Sequence, residues 1–196
     1  MKLSIVIPAH NEDGCIEPTL KQLADKLDAE RIDYELVVAA DHCSDGTESI
    51  LERLSAANPK IRWVRNSNKP GFGMAVRAGL DAYTGDAVAI FMADASDSPD
   101  DVVTYFRRIE SGAECVFGSR FIKGGKVIDY PIHKLILNRM GNLIIRIMFQ
   151  HGLNDTTNAF KCYRREVIDG CRPFLSPHFN LTVEIPLKAI IRGFKF

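Results

Sequence analysis

Short apolar runs alternate with longer segments whose apolar residues recur at helical spacing, from the first residue to about the ninetieth. Leu3, Ile5, Val6 and Ile7 form a run too short for a helix and rich in β-branched side chains, which predicts a strand over 3–8. Ile16, Leu20, Leu23 and Leu27 then share one face of a 3.6-residue period, which predicts a helix over 15–27. The same alternation predicts strands over 35–40, 61–64 and 87–92, and helices over 47–57 and 74–83. Strands that are apolar throughout and separated by helices fit a mostly parallel sheet with helices on both faces. Beyond residue 100 the pattern is less regular. A short strand over 115–118 leads into a glycine-bearing loop over 119–131 and a helix over 132–151.

That last helix is unusually apolar. Its polar residues Asn138, Arg139, Asn142 and Arg146 form one narrow stripe. A helix so apolar is ordinarily buried, and burial is the first expectation. The alternative is that it lies against a membrane surface or cradles a lipid chain, with the two arginines near phosphates. No stretch reaches the roughly 18 uncharged apolar residues of a spanning helix. The opening run over 1–8 is too short for a signal peptide, and acidic residues follow it. At the other end, Gly193-Phe194-Lys195-Phe196 reads as the start of a strand with no continuation, as expected of a fragment of a longer chain.

The 196 residues suit one domain with a sizeable core, and 25 basic residues balance 25 acidic ones. A formal net charge of zero gives no basic field for nucleic acid. Five cysteines without a CxxC pair point to reduced thiols in a cytosolic compartment and away from a zinc site or disulfide framework.

Candidate chemistry gathers where strands end. The run 87–92 stops in Asp94-Ala95-Ser96-Asp97, Asn11 and Glu12 follow the first strand, and Asp41 and Asp45 follow the second. In open parallel sheets ligands sit beyond the carboxyl ends of the strands, so three such loops converge on one edge. Carboxylates there suit a divalent cation set against a phosphorylated ligand. There is no GxGxxG after the first strand and no GxxxxGK[ST], which argues against dinucleotide-dependent oxidoreductases and P-loop NTPases. His10, His42 and His133 lack ligand-like spacing and read as structural, and Asp45 reads as a loop-forming residue ahead of Gly46.

Five segments in order resemble one family. Ile5-Val6-Ile7-Pro8-Ala9-His10-Asn11-Glu12 resembles the "IPxYNE" opening of glycosyltransferase family 2, and the segment from Asp41 to Thr47 resembles its "DDxSxDGT" loop. Asn68-Lys69-Pro70-Gly71-Phe72-Gly73-Met74-Ala75-Val76-Arg77-Ala78-Gly79 resembles its "NxGKGxAxRxG" segment. Gly118-Ser119-Arg120-Phe121 and Asn154-Asp155-Thr156-Thr157-Asn158-Ala159-Phe160-Lys161 resemble the "GSR[YF]" and "DxxSGFR/K" elements of its polyprenyl-phosphate (dolichol-phosphate) mannose synthase branch.

The resemblance implies an α/β GT-A fold forming a single glycosyltransferase domain over 1–196. Its nucleotide-binding half would be about 1–118 and its acceptor-side half about 119–196. It implies a nucleotide-diphosphate sugar donor and Mg²⁺ or Mn²⁺. Pro8, Ala9, Asn11, Glu12 and Asp41 would line the nucleoside pocket, with Lys69 and Arg77 also on the donor side. Asp94 matches the last aspartate of the family's DxD element, but Met92 stands at the first and Ser96 at a downstream glutamine. Asp97 is the expected substitute at the metal, since a hard cation requires only oxygens. Arg120 is expected to face the leaving diphosphate, and Arg139 and Lys161 an acceptor phosphate. A lipid phosphate needs little help from a base, whereas a sugar hydroxyl would need one, and Asp155 is then the first candidate. Glu184 reads as a helix-surface glutamate.

The expected function is an inverting transfer of mannose or glucose to a polyprenyl or dolichyl phosphate, by a protein peripheral to the cytoplasmic face of a membrane. A soluble saccharide or protein acceptor, or a non-catalytic nucleotide-sugar-binding protein, are the alternatives.

Overall fold

The computed structural model describes residues 1–122, 125 and 131–196. The first half follows the predicted alternation, with element ends within two residues of those expected. β1 (Lys2–Ala9), β2 (Asp33–Ala40), β3 (Ile61–Arg65) and β4 (Ala87–Ile90) are parallel, connected by α1 (Ile16–Ala29), α2 (Thr47–Ala57) and α3 (Phe72–Ala82). The sheet has six strands in the order β3-β2-β1-β4-β6-β5.

Strand periodicity divides the core in two. Leu3, Ile5 and Ile7 of β1 face one layer with Leu20 and Leu23 of α1, and Val6 faces the other with Val76 and Leu80 of α3. Both layers are closed by elements of the second half. α4 (Pro99–Glu110) buries Val102, Phe106 and Ile109 on the α1 side. α6 (Arg165–Cys171) and α7 (Leu181–Ile191) bury Val167, Ile168, Leu181 and Ile185 on the α3 side. α4 was not among the predicted elements, although Val102, Phe106 and Ile109 recur at helical spacing and Val103 and Tyr105 pack beside them. The helix has Pro99, Asp100 and Asp101 at its amino end and Arg107 and Arg108 in its last turn, the charge order the helix dipole favours.

β5 (Cys115–Phe117) and β6 (Lys161–Arg164) make the sheet mixed, since β6 runs antiparallel to both β4 and β5. At the carboxyl end, the Lys195 carbonyl accepts the amides of Glu114 and Cys115, and Phe196 stacks on Phe117 at 5.6 Å. Part of the loop expected over 119–131 lies outside the described residues.

α5 (Ile132–Phe149) overturns the expectation of burial. Ile132, Leu137, Ile147 and Met148 are 66–75% exposed, and Asn142 is its one buried residue. Of the polar stripe, Asn138 and Asn142 face the turn before β6, whereas Arg139 and Arg146 are exposed. Asn142 Oδ1 accepts the amides of Thr156 (2.6 Å) and Thr157 (3.3 Å), and Asn138 Nδ2 donates to Thr157 Oγ1 (3.0 Å). Among the described residues no helix is long and apolar enough to cross a membrane. All five cysteines are free.

At the amino ends of the strands, opposite the site edge, Glu35 joins β1, β2, β3 and the turn before β4. It is 3% exposed and accepts from Ser4 Oγ, the Thr84 amide and hydroxyl, Arg62 and Lys2. Burial pushes its carboxyl up, but these donors outweigh burial and hold it at about 2, against an ordinary 4.5. A lowered carboxyl contributes stability above its unfolded value and loses it as pH falls toward the folded one. Glu35→Gln is therefore expected to lower the urea midpoint at pH 7 by the equivalent of up to about 3 kcal/mol, and to matter progressively less from about pH 4.5 down to 2.

Candidate active site

Parallel β1, β2, β3 and β4 end on one edge. Because β6 is antiparallel and β5 pairs with it, the residues before β6 (154–160) and after β5 (118–122) arrive at that same edge. The loops chosen from sequence therefore converge, although they lie up to about 150 residues apart in the chain.

The loops after β1 and β2 are tied together. The Asp41 amide donates to the Ala9 carbonyl (2.8 Å), and Asn11 Oδ1 accepts the Ser44 amide (2.8 Å). The Glu12 amide donates to Thr47 Oγ1, and Asp45 accepts the amides of Asp13 and Thr47, the loop-forming role expected of it. Pro8 and Ala9 are buried at the strand end, whereas Asn11 is exposed with φ 57°. His10 bonds the Asp41 carbonyl through Nδ1, and His133 is exposed at the start of α5.

Asp41 is the buried centre of this half. Its Oδ1 accepts Asn66 Nδ2 (2.7 Å) and faces His42 Nδ1 (3.1 Å), and its Oδ2 accepts the Gly71 amide (2.9 Å). Burial pushes the carboxyl up, but the bonds from Asn66, Gly71 and His42 outweigh it and keep it ionised. Asn66 and Gly71 escaped the reading of the sequence as site residues. Asn66 stands directly after β3, the one signal that could have flagged it. Lys69 is exposed on the same loop, and its carbonyl accepts Asn66 Nδ2 (3.1 Å). Arg77 lies five residues into α3, about 7 Å along the axis from the helix start, with Nη1 3.7 Å from Met74 Sδ.

The acidic turn after β4 separates its two aspartates. Asp94 is exposed and accepts the Ser96 amide (3.0 Å), with Ala95 at φ 58°. Asp97 folds back so that Oδ2 accepts the Met92 amide (2.9 Å). Burial raises its carboxyl to about 6, against that bond, and the charges of Asp94 and Asp101 add to the rise. Glu12 is also raised, by burial and then by Asp94 and Asp45. Among the described residues no three His, Cys, Asp or Glu side chains form a metal-binding group. Crowded carboxylates at an open edge still suit a divalent ion whose remaining ligands are phosphate oxygens and water. Asp94 is exposed at that edge, near enough to Glu12 for its charge to act on it.

On the acceptor side Asp155 is buried and doubly bonded to Arg120. Arg120 Nη2 donates to Oδ1 (2.7 Å), and Nε (2.8 Å) and its amide (3.0 Å) donate to Oδ2. Both oxygens of the residue expected as general base thus accept from Arg120, and Asp155 orients that guanidinium. Arg120 and Arg139 both lie over the Phe121 ring, at 5.4 and 4.5 Å from its centroid. One aromatic ring thus gathers the two arginines expected near phosphate. Lys161 departs from expectation. It is 1% exposed, and its ammonium donates to the carbonyls of Thr156 (3.0 Å), Thr182 (3.0 Å) and Asn158. Burial pulls it down to about 7. It clamps the turn that carries Asp155 and does not reach an acceptor phosphate.

A parallel nucleotide-type half, an acidic turn after β4 and an antiparallel extension through β6 and β5 define a GT-A fold. The model of glycosyl transferase family 2 matches residues 4–171, and the chain belongs to that family. It is 28% identical over 96% of its length to dolichol-phosphate mannosyltransferase of Pyrococcus furiosus, covering 53% of that protein. It is 27% identical to polyprenol monophosphomannose synthase of Mycolicibacterium smegmatis, covering 97% of this chain and 72% of that one. The chain thus spans about half the length of the first of these relatives. In three dimensions it resembles glucosyl-3-phosphoglycerate synthase of Mycobacterium tuberculosis in complex with UDP, with TM-score 0.74, 20% identity and coverage of 98% of this chain and 66% of that one.

The Arg120–Asp155 pair has an energetic signature. Asp155 is fully buried while Arg120 is partly exposed, so the two truncations differ. Arg120→Ala leaves a buried carboxylate without its partner and is expected to cost roughly 3 kcal/mol in urea unfolding. Asp155→Asn keeps the shape and is expected to cost about half that. Values below about 1 kcal/mol for both would mark an ordinary surface pair.

Proposed function

We propose that this chain is the catalytic domain of a metal-dependent glycosyltransferase that moves a hexose from a nucleoside-diphosphate sugar to a polyprenyl phosphate. The observation that carries the acceptor choice is α5, which presents its apolar face outward beside the arginine pair on Phe121. Two of the relatives above are named for dolichol or polyprenol phosphate. The half over 1–118 holds the donor and the half over 119–196 meets the acceptor.

In this reading Asp41 and its ring of donors fix the base. Asn11 and Glu12 shape the pocket mouth, and Asp94 holds Mg²⁺ or Mn²⁺ against the diphosphate. A divalent ion held there would supply charge neutralisation for the departing nucleoside diphosphate. Arg120, oriented by buried Asp155, faces that same charge from the protein side. An oxygen of the lipid phosphate forms the new bond to the anomeric carbon as the bond to the diphosphate oxygen breaks, inverting the centre. The lipid phosphate is already ionised near neutral pH, so no base is required. That accords with Asp155 being bonded to Arg120.

α5 (Ile132–Phe149) contains Lys134, Arg139 and Arg146 and no acidic residue. An apolar face flanked by cations suits an anionic membrane surface where the lipid acceptor resides. A soluble acceptor is the second reading, favoured by the fold likeness to glucosyl-3-phosphoglycerate synthase.

Thermal unfolding with UDP and with GDP, each with and without Mn²⁺, tests the donor. At a hundredfold excess over Kd the matching nucleotide is expected to add about 2.7 kcal/mol, roughly 5–10 °C in Tm. Asp94→Ala is expected to remove the part that depends on metal. Transfer of radiolabelled mannose or glucose into an organic-extractable lipid tests the acceptor. Label retained in the aqueous phase favours a soluble acceptor, and metal-dependent binding without transfer favours a non-catalytic binder. Separately, cosedimentation with phosphatidylglycerol-containing vesicles is expected to disappear in an Ile144→Asp, Ile147→Asp double variant. Unchanged cosedimentation would remove α5 from the membrane.

A further inference from the structure

Glu184 was expected to be a surface residue, yet its side chain is 12% exposed and its carboxylate is fully engaged. Oε1 accepts the Leu175 amide (2.8 Å) and Oε2 the Ser176 amide (2.7 Å). Lys188, one turn further along α7, bonds Oε1 at 2.6 Å and also donates to the Pro173 carbonyl. Residues 173–176 are thereby fastened to α7.

The same loop continues onto the nucleoside side of the molecule. The Pro177 carbonyl accepts the Met74 amide (3.1 Å) at the amino end of α3, and the Phe179 ring lies 4.8 Å from that of Phe72. Contact is too close for side chains on the helix. A Cβ on Gly71, which has φ 152°, would stand 2.7 Å from the Pro177 oxygen. One on Gly73 would stand 2.6 Å from the His178 oxygen and 2.7 Å from the Ser176 oxygen. Gly71 is also the residue whose amide meets Asp41 Oδ2. A continuous set of contacts thus leads from Glu184 on α7, through 175–178, to the carboxylate at the centre of the nucleoside pocket.

We propose that Glu184 is a positioning residue for nucleotide binding: it latches the 173–178 loop, which seats the amino end of α3 so that Gly71 meets Asp41. The nucleotide as ligand rests on the function proposed above, whereas the latch itself does not. The competing role for an acidic residue in this half is general base. A carboxylate accepting two amides and an ammonium is poorly placed for it, and burial notwithstanding, those donors hold Glu184 at about 2.

Hydrogen exchange and nucleotide binding on the same variants decide the matter. In Glu184→Ala the amides of 71–75 are expected to exchange faster while those of β1 and β2 stay protected, which also reports a folded protein. UDP or GDP affinity with Mn²⁺ is expected to fall about tenfold, the loss of about 1.4 kcal/mol of positioning. Glu184→Gln keeps one acceptor oxygen and is expected to fall between wild type and alanine in both measurements. Gly73→Ala pushes on the loop from the helix side and should raise the same exchange. Adding Glu184→Ala to it should then change little, because both act on one contact.

Unchanged exchange at 71–75, additive effects of the two lesions, or faster exchange with unaltered nucleotide affinity each overturn the proposal. So does Glu184→Gln if it abolishes turnover with exchange and affinity intact, since that is the behaviour of a base. If the wild-type protein binds neither UDP nor GDP, the nucleotide-sugar reading fails. The exchange comparison alone then upholds or overturns the latch.

Discussion

A parallel sheet buried on both faces leaves its polar chemistry one place to go. Every residue from Leu3 to Ala9 of β1 and from Tyr34 to Ala40 of β2 is buried, so charged groups concentrate at the strand ends. At the amino ends a single buried carboxylate, Glu35 of β2, satisfies donors from β1, β3 and the turn before β4. At the carboxyl ends Asp41, Glu12 and Asp94 accumulate, and burial and then the charges of Asp94 and Asp45 raise Glu12. One edge is tied together around a carboxylate, and the other gathers carboxylates that repel one another.

The second half fits itself to that open edge by an unusual division of helix faces. α5 turns asparagines inward and leucines, isoleucines and methionines outward, because the turn carrying Asp155 has backbone amides that only Asn142 reaches. The turn is held from the other side by Lys161, whose buried ammonium caps three carbonyls. With Asn142 supplying acceptors and Lys161 donors, Asp155 is held rigidly enough to fix Arg120.

The repeating strands and helices were legible because parallel strands are continuous apolar runs and their covering helices keep a 3.6-residue period. Asp41, Asn11, Glu12 and Asp94 could be placed at one edge for the same reason, since parallel topology alone brings those strand ends together. α4 obeys the same rule, with Val102, Phe106 and Ile109 at i, i+4 and i+7, yet was not among the predicted elements. β6 was hidden because Lys161-Cys162-Tyr163-Arg164 begins and ends with a charge, one buried against carbonyls and the other bonded to the Ile109 and Ala113 carbonyls.

By itself the sequence determined the layered α/β order, the edge on which the chemistry gathers and the motifs of glycosyl transferase family 2, because periodicity and short spacing are local properties. The tertiary structure decided what each charged group does once there. Asp155 became the partner of Arg120, Lys161 a buried clamp on three carbonyls, and Asp97 the closure of its own turn. Glu184 became an anchor for the loop that precedes its own helix. Each of those outcomes depends on which donor or acceptor lies within about 3 Å, and those neighbours come from parts of the chain that only folding brings together.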